Sequence, residues 1–525
     1  MAKYFVSIDL GTTGTKTVVF DEKGGIVGSG NFNTPTYFPA PGRVEQDASE
    51  VVALLYNATK AAVVDSGVSP KDIAGVSFSH MCCTFVPVDE EGNFLHHIIL
   101  WNDFRGAEMF PFMRERLKSA NITDLEDYNY TGYPFGPLAT TPKFLWIKRN
   151  MPEVYNKTYK FIGMQALMIR AFTENTKDYY DDRPGIIYTK ISDGNKFKLD
   201  PERAKLYDID INKYPGRKDP GEFAGKVTAK VAALTGLLEG TPVYVGAGDQ
   251  RCAAVGAGVA KDGMLSGVLG TAGVIHAYSS KPVRHAEGKI SIMGHAGTGH
   301  WQIEGSSNSG ASSLRWYRDV FSGTELSYSH LMKTDIYNVL TDLAKMSPVG
   351  SNGVIYTPWL GGCDCPRFDG SGRATFTGLS FSHTKADICR SVMEGACYEM
   401  KSMIDEADKT LGYKTEVMRA VGGGARSRFW NQIQADVYNK KIETLKCEES
   451  TALGAALFAA IGAGTYKDVH DAINGMVQVD YRLEPIPENV KRYEKLYKIY
   501  RDIYEDLAKR VFPAIKEFQD EYFGK

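Results

Sequence analysis

The stretch Ile8-Asp9-Leu10-Gly11-Thr12-Thr13-Gly14-Thr15-Lys16 decides how the rest of the chain is interpreted. It joins residues 4–8 and 16–20, two short runs rich in β-branched and aromatic residues. It is neither a Walker motif, which needs Gly-Lys-Ser/Thr at the start of a helix, nor a dinucleotide fingerprint, which needs a helix where 16–20 is predicted as strand. Glycines and hydroxyls let backbone N–H groups approach an anion unobstructed. The pattern predicts a β-hairpin whose bend holds phosphate groups.

Individual roles follow from the residue types in this stretch. Gly11, Thr12 and Thr13 are expected to contact phosphate oxygens through N–H groups and hydroxyls. Asp9 ends the first run and is expected to hold Mg²⁺ through a water molecule, because Mg²⁺ dehydrates reluctantly and binds one or two carboxylates. Lys16 is expected to reach the transferred phosphoryl group as a point charge. For one such loop alone, an ordinary glycine turn is the competing interpretation.

The same pattern returns near the middle of the chain, where Leu269-Gly270-Thr271-Ala272-Gly273 echoes residues 10–14. A chain of 525 residues is too long for one ordinary core. The echo therefore predicts two domains of like topology around a shared cleft, with Gly270 and Thr271 as further phosphate contacts. A chance match and a single large barrel are the alternatives.

Strand-like and helical patterns alternate along the chain. Ser49 is expected to cap a helix that ends near Gly67, and residues 73–78 then have the pattern of a strand. Such alternation predicts an α/β protein. We expect an N-terminal domain over residues 1–247 and a C-terminal domain over residues 248–525.

A glycine loop, Gly246-Ala247-Gly248-Asp249-Gln250, follows a predicted strand at mid-chain and precedes an Ala/Gly-rich helical pattern. A carboxylate at this point could accept the proton of an attacking hydroxyl during phosphoryl transfer. Asp249 is therefore the candidate general base. The competing interpretation is a helix N-cap.

A third glycine cluster, Ala420-Val421-Gly422-Gly423-Gly424-Ala425-Arg426-Ser427, lies between a predicted strand and a predicted helix. Consecutive glycines let a flat base lie against the backbone. Gly423, Gly424 and Ala425 are thus the expected adenosine contacts. A plain strand-to-helix turn is the alternative.

Two segments of the first half combine groups that suit a polyhydroxylated ligand. One is Ser79-His80-Met81-Cys82 and the other is Leu100-Trp101-Asn102-Asp103-Phe104-Arg105. Amide, carboxylate and guanidinium groups beside an aromatic ring are typical of such a site. The expected substrate contacts are His80, Met81, Trp101, Asn102, Asp103 and Asp249. For the His-Met pair, packing in the core is the competing interpretation.

Composition excludes several other classes of function. The net charge is -2 and the pI near 6.6, with Lys and Arg scattered, so no electrostatic footprint for nucleic acid or an anionic membrane is present. Residues 450–466 are apolar but shorter than a membrane span needs, which predicts a buried helix. No export segment is recognised at the start, so a cytoplasmic location is expected.

The remaining patterns are predicted to be structural. The 8 cysteines have no framework spacing and are expected to be thiols, with no zinc site at Cys82-Cys83 or Cys363-x-Cys365. The apolar stripe of residues 493–507 has helical spacing and is expected to pack against the fold. A partner interface there, and hence a homodimer, is the alternative.

Taken together, the ordered motifs resemble those of the FGGY carbohydrate kinases, and within that family the chain is most similar to the xylulokinases. The resemblance rests on Asp-x-Gly-Thr-Thr at 9–13, Trp-Asn-Asp-x-Arg at 101–105, Gly-Ala-Gly-Asp-Gln at 246–250, Leu-Gly-Thr-x-Gly at 269–273 and Gly-Gly-Gly-Ala-Arg-Ser at 422–427. Residues 141–146 match the family's first signature and residues 377–395 approximate its second.

This resemblance implies an ATP-dependent kinase of a small sugar with the actin-like fold, in which two ribonuclease-H-like domains hold ATP, Mg²⁺ and sugar in the cleft between them. It implies that Asp9 is the metal-side aspartate and Asp249 the catalytic base. It also implies phosphate contacts at Thr12 and Thr271 and an adenosine loop at 423–425.

Three departures from the family's pattern bear on the substrate. His80-Met81-Cys82 stands where xylulokinases usually have Gln-Met-His, Gly362-Cys363-Asp364-Cys365-Pro366 replaces Gly-Glu-Arg-x-Pro, and segment 174–200 is longer than usual. We expect a ketopentose such as xylulose, with ribulose, fuculose, gluconate or erythritol as alternatives. From other classes, the alternatives are an actin-like ATPase without a sugar substrate and, less favoured, a catalytically idle sugar sensor.

Overall fold

A computed structural model describes residues 3–136, 139–173, 180–181 and 200–523. Of the long segment 174–200, only 180–181 and Asp200 lie inside the described residues. The first half contains β1 (Tyr4–Leu10), β2 (Gly14–Asp21), β3 (Ile26–Asn33), β4 (Glu45–Gln46), β5 (Ile73–His80), β6 (Phe85–Val88), β7 (Ile98–Ile99), β8 (Lys160–Gly163), β9 (Tyr180–Asp181), β10 (Gly216–Arg217), β11 (Phe223–Lys226), β12 (Pro242–Tyr244) and β13 (Ala247–Gly248). Its helices are α1 (Ala48–Ser66), α2 (Phe110–Ser119), α3 (Asp124–Thr131), α4 (Thr140–Asn150), α5 (Pro152–Lys157), α6 (Met164–Phe172), α7 (Pro201–Leu206), α8 (Ala229–Thr235) and α9 (Asp249–Gly256).

The predicted hairpin is present at the centre of the first sheet. This sheet has the order β11-β12-β5-β1-β2-β3, and β13 also pairs with β5. β1 runs antiparallel to β2 and parallel to β5, so that Asp9 lies opposite Lys16 on one side and Ser79 on the other. The register therefore brings the ends of the three strands, and the candidate residues they carry, to one edge of the sheet.

The second half has its own set of elements. Its strands are β14 (Met264–Leu269), β15 (Gly273–Ser279), β16 (Ser291–Gly294), β17 (Trp301–Ser307), β18 (Ile355–Thr357), β19 (Thr375–Thr377), β20 (Val417–Val421), β21 (Lys441–Leu445) and β22 (Val479–Leu483). Its helices are α10 (Ser312–Phe321), α11 (Gly323–Met332), α12 (Ile336–Lys345), α13 (Lys385–Leu411), α14 (Arg428–Tyr438), α15 (Ser450–Gly462), α16 (Val469–Met476), α17 (Pro487–Leu507) and α18 (Val511–Phe523).

The second sheet repeats the topology of the first. Its order is β16-β17-β15-β14-β20-β21-β22. The series β17-β15-β14-β20-β21 has two antiparallel steps followed by two parallel steps. The series β3-β2-β1-β5-β12 of the first sheet has the same sequence of steps. The short echo between residues 10–14 and 269–273 therefore does mark two domains of like topology.

Two helices rich in small residues, α9 and α15, pack on each other and on the first sheet. α15 packs on α9 and also on β1 and β5 of the first sheet. A Cβ atom on Gly454 would lie 2.0 Å from the backbone oxygen of Cys252, and one on Gly256 would lie 1.8 Å from that of Ser450. Only glycine permits this approach of the two backbones. The prediction of a buried helix in 450–466 is confirmed, and among the described residues no helix is long and apolar enough to cross a membrane.

Two local predictions have different outcomes. The cap of α1 is Asp47 rather than Ser49, because the Asp47 carboxylate accepts hydrogen bonds from the N–H groups of Ser49 and Glu50, at 2.8 and 3.0 Å. The expectation that residues 493–507 pack against the fold is confirmed. Tyr493 and Tyr500 of α17 are buried, and Tyr500 donates a hydrogen bond of 2.6 Å to Glu399 of α13.

The chain leaves the first sheet at β13, whose two residues still pair with β5. It then enters α9, which contacts both β5 and α15. The division of the chain after residue 247 stays a prediction.

Candidate active site

The first phosphate loop is a tight bend fastened to its surroundings by backbone hydrogen bonds. The Gly11 N–H donates to the Gly14 oxygen at 2.9 Å, and the Thr34 N–H donates to the Thr13 oxygen at 3.0 Å. A Cβ on Gly14 would lie 2.9 Å from the Phe32 oxygen, so the glycine is sterically required. Thr13 is exposed and Thr12 is half-buried. The Gly11 N–H is thus engaged within the bend, and the phosphate contacts predicted at Thr12 and Thr13 stay predictions.

Asp9 lies at the base of this loop with an unusual carboxylate. Its Oδ1 atom is buried and has no hydrogen-bond partner among the described residues. The pKa of Asp9 is raised to about 6, chiefly by burial and also by the charges of Asp249 and Glu449, while the Ser79 hydrogen bond and the charge of His80 oppose the shift. A buried acceptor without a partner is costly unless a ligand completes it. A hydrated Mg²⁺ ion is the kind of ligand this oxygen suits.

The second phosphate loop and the predicted adenosine loop are in direct contact. A Cβ on Gly424 would lie 2.8 Å from Leu269 Cδ2, immediately before the second phosphate loop. A Cβ on Gly423 would meet nothing within 4 Å. Thr271 is exposed, and the backbone of Gly270 is fixed by the Ala311 N–H at 2.7 Å. The two loops are thus neighbours, with Thr271 and Gly423 exposed, Gly270 and Ala425 half-buried and Gly424 buried.

Asp249 is the first residue of α9, and Gly248 occupies the N-cap position. The alternative interpretation of Asp249 as the helix cap is therefore wrong. Its Oδ1 accepts a hydrogen bond of 2.8 Å from the Gln250 N–H. Burial raises its pKa, against the lowering effect of that N–H, the charge of His80 and the Cys82 thiol. A carboxylate with a raised pKa at a helix start is a suitable proton acceptor.

A buried hydrogen-bonded chain that the sequence did not reveal leads to Asp249. Ser266 Oγ lies 3.1 Å from His276 Nδ1, His276 Nε2 lies 3.0 Å from Gln250 Oε1, and Gln250 Nε2 lies 3.4 Å from Asp249 Oδ2. Burial lowers the pKa of His276 to about 3, so the ring is neutral. Because an amide oxygen only accepts, Nε2 carries the ring proton, and the Gln250 amide faces Asp249 with its donor. The chain fixes the orientation of the candidate base.

The His80-Met81-Cys82 segment has three different environments. Met81 is 2 % exposed and belongs to the hydrophobic core of the first domain, as the alternative of core packing describes. Its predicted substrate contact stays a prediction. His80 is buried, and its charge acts to lower the pKa of Asp249. A Cβ on Gly248 would lie 2.2 Å from Cys82 Sγ, so this thiol fills the space beside the candidate base. The departure from the family's pattern thus lies next to Asp249.

The Trp101 segment divides into a ligand-facing part and a supporting part. The Trp101 indole N–H donates to Thr12 Oγ1 at 2.8 Å, which links this segment to the first phosphate loop. Asn102 Oδ1 is buried without a hydrogen-bond partner among the described residues, so it is available to a hydroxyl of a ligand.

Asp103 and Arg105 form the supporting part. Asp103 is fully buried. Its Oδ2 accepts from the Val44 N–H at 2.7 Å, and both of its oxygens accept from the Arg105 guanidinium at 2.8 Å. Since its acceptors are filled, Asp103 is better placed to hold this loop than to bind a sugar. These contacts favour a supporting role for Asp103, and its predicted substrate contact stays a prediction.

Lys16 is paired across the cleft. Its Nζ lies 2.5 Å from Oε1 of Glu449, the residue before α15, and the two side chains are 33 % and 34 % exposed. To act on the transferred phosphoryl group as predicted, Lys16 would have to leave Glu449 and pair with the phosphate instead. The sequence does not point to Glu449, because a glutamate before an Ala/Gly-rich helix has no distinctive pattern.

The cysteines of Cys363-x-Cys365 are both buried, and burial raises their pKa values well above the ordinary range. The Cys365 thiol donates to the Lys289 backbone oxygen at 3.2 Å, and Asp364 accepts from the Asn308 N–H at 2.6 Å. This loop is thus built into the packing of the C-terminal domain.

Comparison with known proteins gives these features a context. The family model for the N-terminal domain of the FGGY family of carbohydrate kinases matches residues 4–256, and the model for its C-terminal domain matches residues 265–463. A xylulose kinase of Staphylococcus epidermidis is 30% identical over 503 residues, which is 95% of this chain and 96% of that protein. A gluconokinase of Bacillus subtilis is 28% identical over 521 residues, 99% of each.

A solved structure shares the fold. The gluconate kinase from Lactobacillus acidophilus matches with a TM-score of 0.86 at 23% sequence identity, covering 98% of this chain and 100% of that one. This confirms the predicted actin-like fold of two ribonuclease-H-like domains. With both family models and a full-length relative in agreement, the chain belongs to the FGGY family of carbohydrate kinases and is a sugar phosphotransferase with ATP as a substrate.

Proposed function

We propose that the chain phosphorylates a ketopentose such as xylulose, with Asp249 as general base and Asp9 on the metal side. The catalytic part rests on one observation: two buried carboxylates from different elements, Asp9 and Asp249, lie close enough for the charge of Asp249 to act on Asp9. Each has a raised pKa. The first phosphate loop lies beside one of them, and Cys82 and His80 lie beside the other.

The proposed reaction is an in-line displacement. The oxygen of a primary sugar hydroxyl attacks the γ-phosphorus of ATP, the bond from that phosphorus to the bridging oxygen breaks, and ADP leaves with its electron pair. Asp249 accepts the hydroxyl proton, and the Gln250 N–H and amide keep its carboxylate oriented. N–H groups of both phosphate loops, the hydroxyls of Thr12 and Thr271, and Lys16 stabilise the charge on the transferred group.

We also propose that Mg²⁺ is required. The unpartnered Oδ1 of Asp9 fits a metal-bound water, and Asp9 is the residue that would hold the ion. When bound, Mg²⁺ would neutralise phosphate charge. The remaining finer points, a cytoplasmic location where ATP is supplied and a homodimer, stay proposals from the sequence.

The choice of sugar rests on the xylulokinase-like motifs and on the xylulose kinase relative, weighed against the changed segment at Cys82. Since Cys82 fills the space beside Asp249, its substitution for the family's usual residue bears directly on which hydroxyl can reach the base. Gluconate is the second candidate, because the gluconokinase relative covers the chain equally well.

A coupled assay of ADP release over xylulose, ribulose, fuculose, gluconate, glycerol and erythritol tests this proposal. We expect the highest kcat/KM with D-xylulose. A preference for gluconate would show that the ketopentose is the wrong substrate, while the assignment as a sugar kinase would stand. ATP turnover that no sugar stimulates, together with nucleotide-dependent assembly, would favour the actin-like ATPase instead.

A further inference from the structure

One buried cation near the sugar loops has no role in the proposed reaction. Lys143 lies on α4 and is 0% exposed. Its Nζ donates to the backbone oxygens of Leu100 at 2.7 Å, Trp101 at 2.9 Å and Cys83 at 3.4 Å. An ammonium has three donors, and three carbonyl oxygens receive them here. The ammonium group therefore binds backbone oxygens of two loops rather than a carboxylate.

These two loops carry the candidate sugar contacts. One loop follows β5 and contains Cys82, and the other contains Trp101 and Asn102. They are joined a second time, because the Trp101 N–H donates to Thr84 Oγ1 at 3.1 Å. Since the Trp101 indole also donates to Thr12, the clamp at Lys143 fixes the segment that touches the first phosphate loop.

The charged groups around Lys143 do not neutralise it directly. The nearest are the Asp103 carboxylate, the Arg105 guanidinium and the Cys83 thiol. Arg105 pairs with Asp103 at 2.8 Å and also with Glu45, so the carboxylates already have a cation. Burial consequently lowers the pKa of Lys143 to about 8.

Charge is essential to this geometry. A neutral amine keeps two N–H donors and presents a lone pair, which would repel the third carbonyl oxygen. Loss of the proton therefore releases one carbonyl, and the Cys83 oxygen, at 3.4 Å the most distant of the three, is the one expected to leave. The Cys83 oxygen is the lysine's sole contact with its loop, so that loop is then no longer held by Lys143. An apolar side chain of similar length would remove the lysine donor from all three carbonyls. The Leu100 oxygen would keep the Asp103 N–H at 3.2 Å, whereas the Trp101 and Cys83 oxygens would lose the donor that joins the two loops.

We propose that Lys143 is a positioning residue for the sugar, which clamps the Cys82 loop and the Trp101 loop into one surface and does so only when charged. This inference rests on the proposed function, because it assigns these loops to the sugar. A purely structural lysine would have different consequences. Its loss would destabilise the whole domain, and it would affect neither these two loops more than other segments nor the use of sugar more than that of ATP.

The test compares Lys143→Met with Lys148→Met in the full-length protein. Lys148 is on the same helix, and its Nζ also donates to a backbone oxygen, that of Asp208, but at the surface. With D-xylulose, we expect Lys143→Met to lower kcat/KM for the sugar by about 100-fold, with the KM for ATP changed by less than about threefold. Lys148→Met should match the wild type in both.

The wild-type enzyme should lose kcat/KM for the sugar as pH rises through about 8. The folded pKa lies below the ordinary value of 10.5. Deprotonation of Lys143 therefore does not itself destabilise the fold, and the activity should fall without unfolding. Lys143→Met should lack this alkaline limb.

Hydrogen exchange provides a measurement that does not depend on the choice of sugar. Amides of residues 81–84 and 100–103 should exchange faster in Lys143→Met than in Lys148→Met, with the strands of both sheets unchanged. Equal exchange in the two variants, or faster exchange throughout the N-terminal domain, would overturn the proposal. If the wild type does not phosphorylate D-xylulose, the proposed sugar fails, while this exchange result still decides the role of Lys143.

Discussion

The two predicted phosphate loops share a sequence pattern and a place in their sheets, but they have very different surroundings. In each, a glycine N–H closes the bend, from Gly11 to the Gly14 oxygen and from Gly270 to the Ala272 oxygen. The first loop adjoins a buried carboxylate, Asp9, and a lysine paired across the cleft. The second adjoins an open glycine surface at Gly423.

This difference shows how a duplicated topology can divide one task. The ionisable groups of the cleft gather at the first loop and at the start of α9. The uncharged, small-residue contacts gather at the second loop and residues 422–425. We therefore expect substitutions of the buried carboxylates Asp9 and Asp249 to change the rate of the reaction, and those of Gly423 and Gly424 to change the binding of ATP.

The largest effect is expected for Asp9→Asn. Loss of the metal-side carboxylate should lower kcat/KM by about 10³-fold or more, measured as sugar-dependent ADP release. The matched control is Asp21→Asn, at the far end of the same hairpin, where the carboxylate serves only the turn to Gly25. If the two variants lost kcat/KM to a similar extent, Asp9 would have no special role in the reaction.

The same substitution should stabilise the ligand-free protein. The pKa of Asp9 is raised from 3.8 to about 6, so the folded state holds this proton more tightly than the unfolded chain does. Ionised Asp9 therefore costs stability above pH 6, and Asp9→Asn should raise the free energy of unfolding by up to about 3 kcal/mol at pH 8, with the gain vanishing below pH 4. A lower melting temperature at pH 8 would contradict this.

Acid pH should reproduce part of the Asp9→Asn loss in the wild type. Below pH 6 Asp9 becomes protonated, and the raised pKa of Asp249 acts in the same direction. We expect kcat/KM to fall by about tenfold per pH unit below this point, at saturating Mg²⁺. A flat profile between pH 5 and 8 would show that neither carboxylate limits the rate.

Around the second loop, alanine substitutions of two neighbouring glycines should distinguish an effect of crowding inside the protein from an effect on ligand contact. Gly424→Ala adds an atom 2.8 Å from Leu269, so it should lower the free energy of unfolding by about 1–3 kcal/mol and also raise the KM for ATP. Gly423→Ala meets nothing in the protein and should raise the KM for ATP by about tenfold at unchanged stability. If Gly423→Ala left the KM unchanged, the adenosine surface would lie elsewhere.

The smallest effect is expected for Glu449→Gln. The pair with Lys16 is about one-third exposed, and such pairs contribute about 0–1 kcal/mol. Freeing Lys16 for phosphate should therefore lower the KM for ATP by up to about fivefold. Glu448→Gln, which loses only an exposed pair with Arg426, is the control.

The fold could be predicted well because its signals are local. Glycines and hydroxyls at a strand end, and their echo at 269–273, are visible in one stretch of sequence. The cap of α1 was misplaced because Asp47 and Ser49 are both good capping residues, and only the backbone geometry decides between them.

The site could be predicted only where residue type implies chemistry. Asp249 and Asn102 follow from their motifs, whereas the supporting contacts of Asp103 depend on a donor, the Val44 N–H, that lies far away in sequence. His276 and Lys143 act through contacts between separate elements, and no spacing along the chain encodes such contacts.

The most direct test of the central claim is sugar-dependent ADP release by Asp249→Asn compared with the wild type, at equal saturation with MgATP. Removal of the general base should lower kcat by about 10²–10⁴-fold while the affinity for MgADP, measured by calorimetry, stays within about threefold. If Asp249→Asn retained near-normal ADP release with the preferred sugar, Asp249 would not be the base and the proposed mechanism would be wrong.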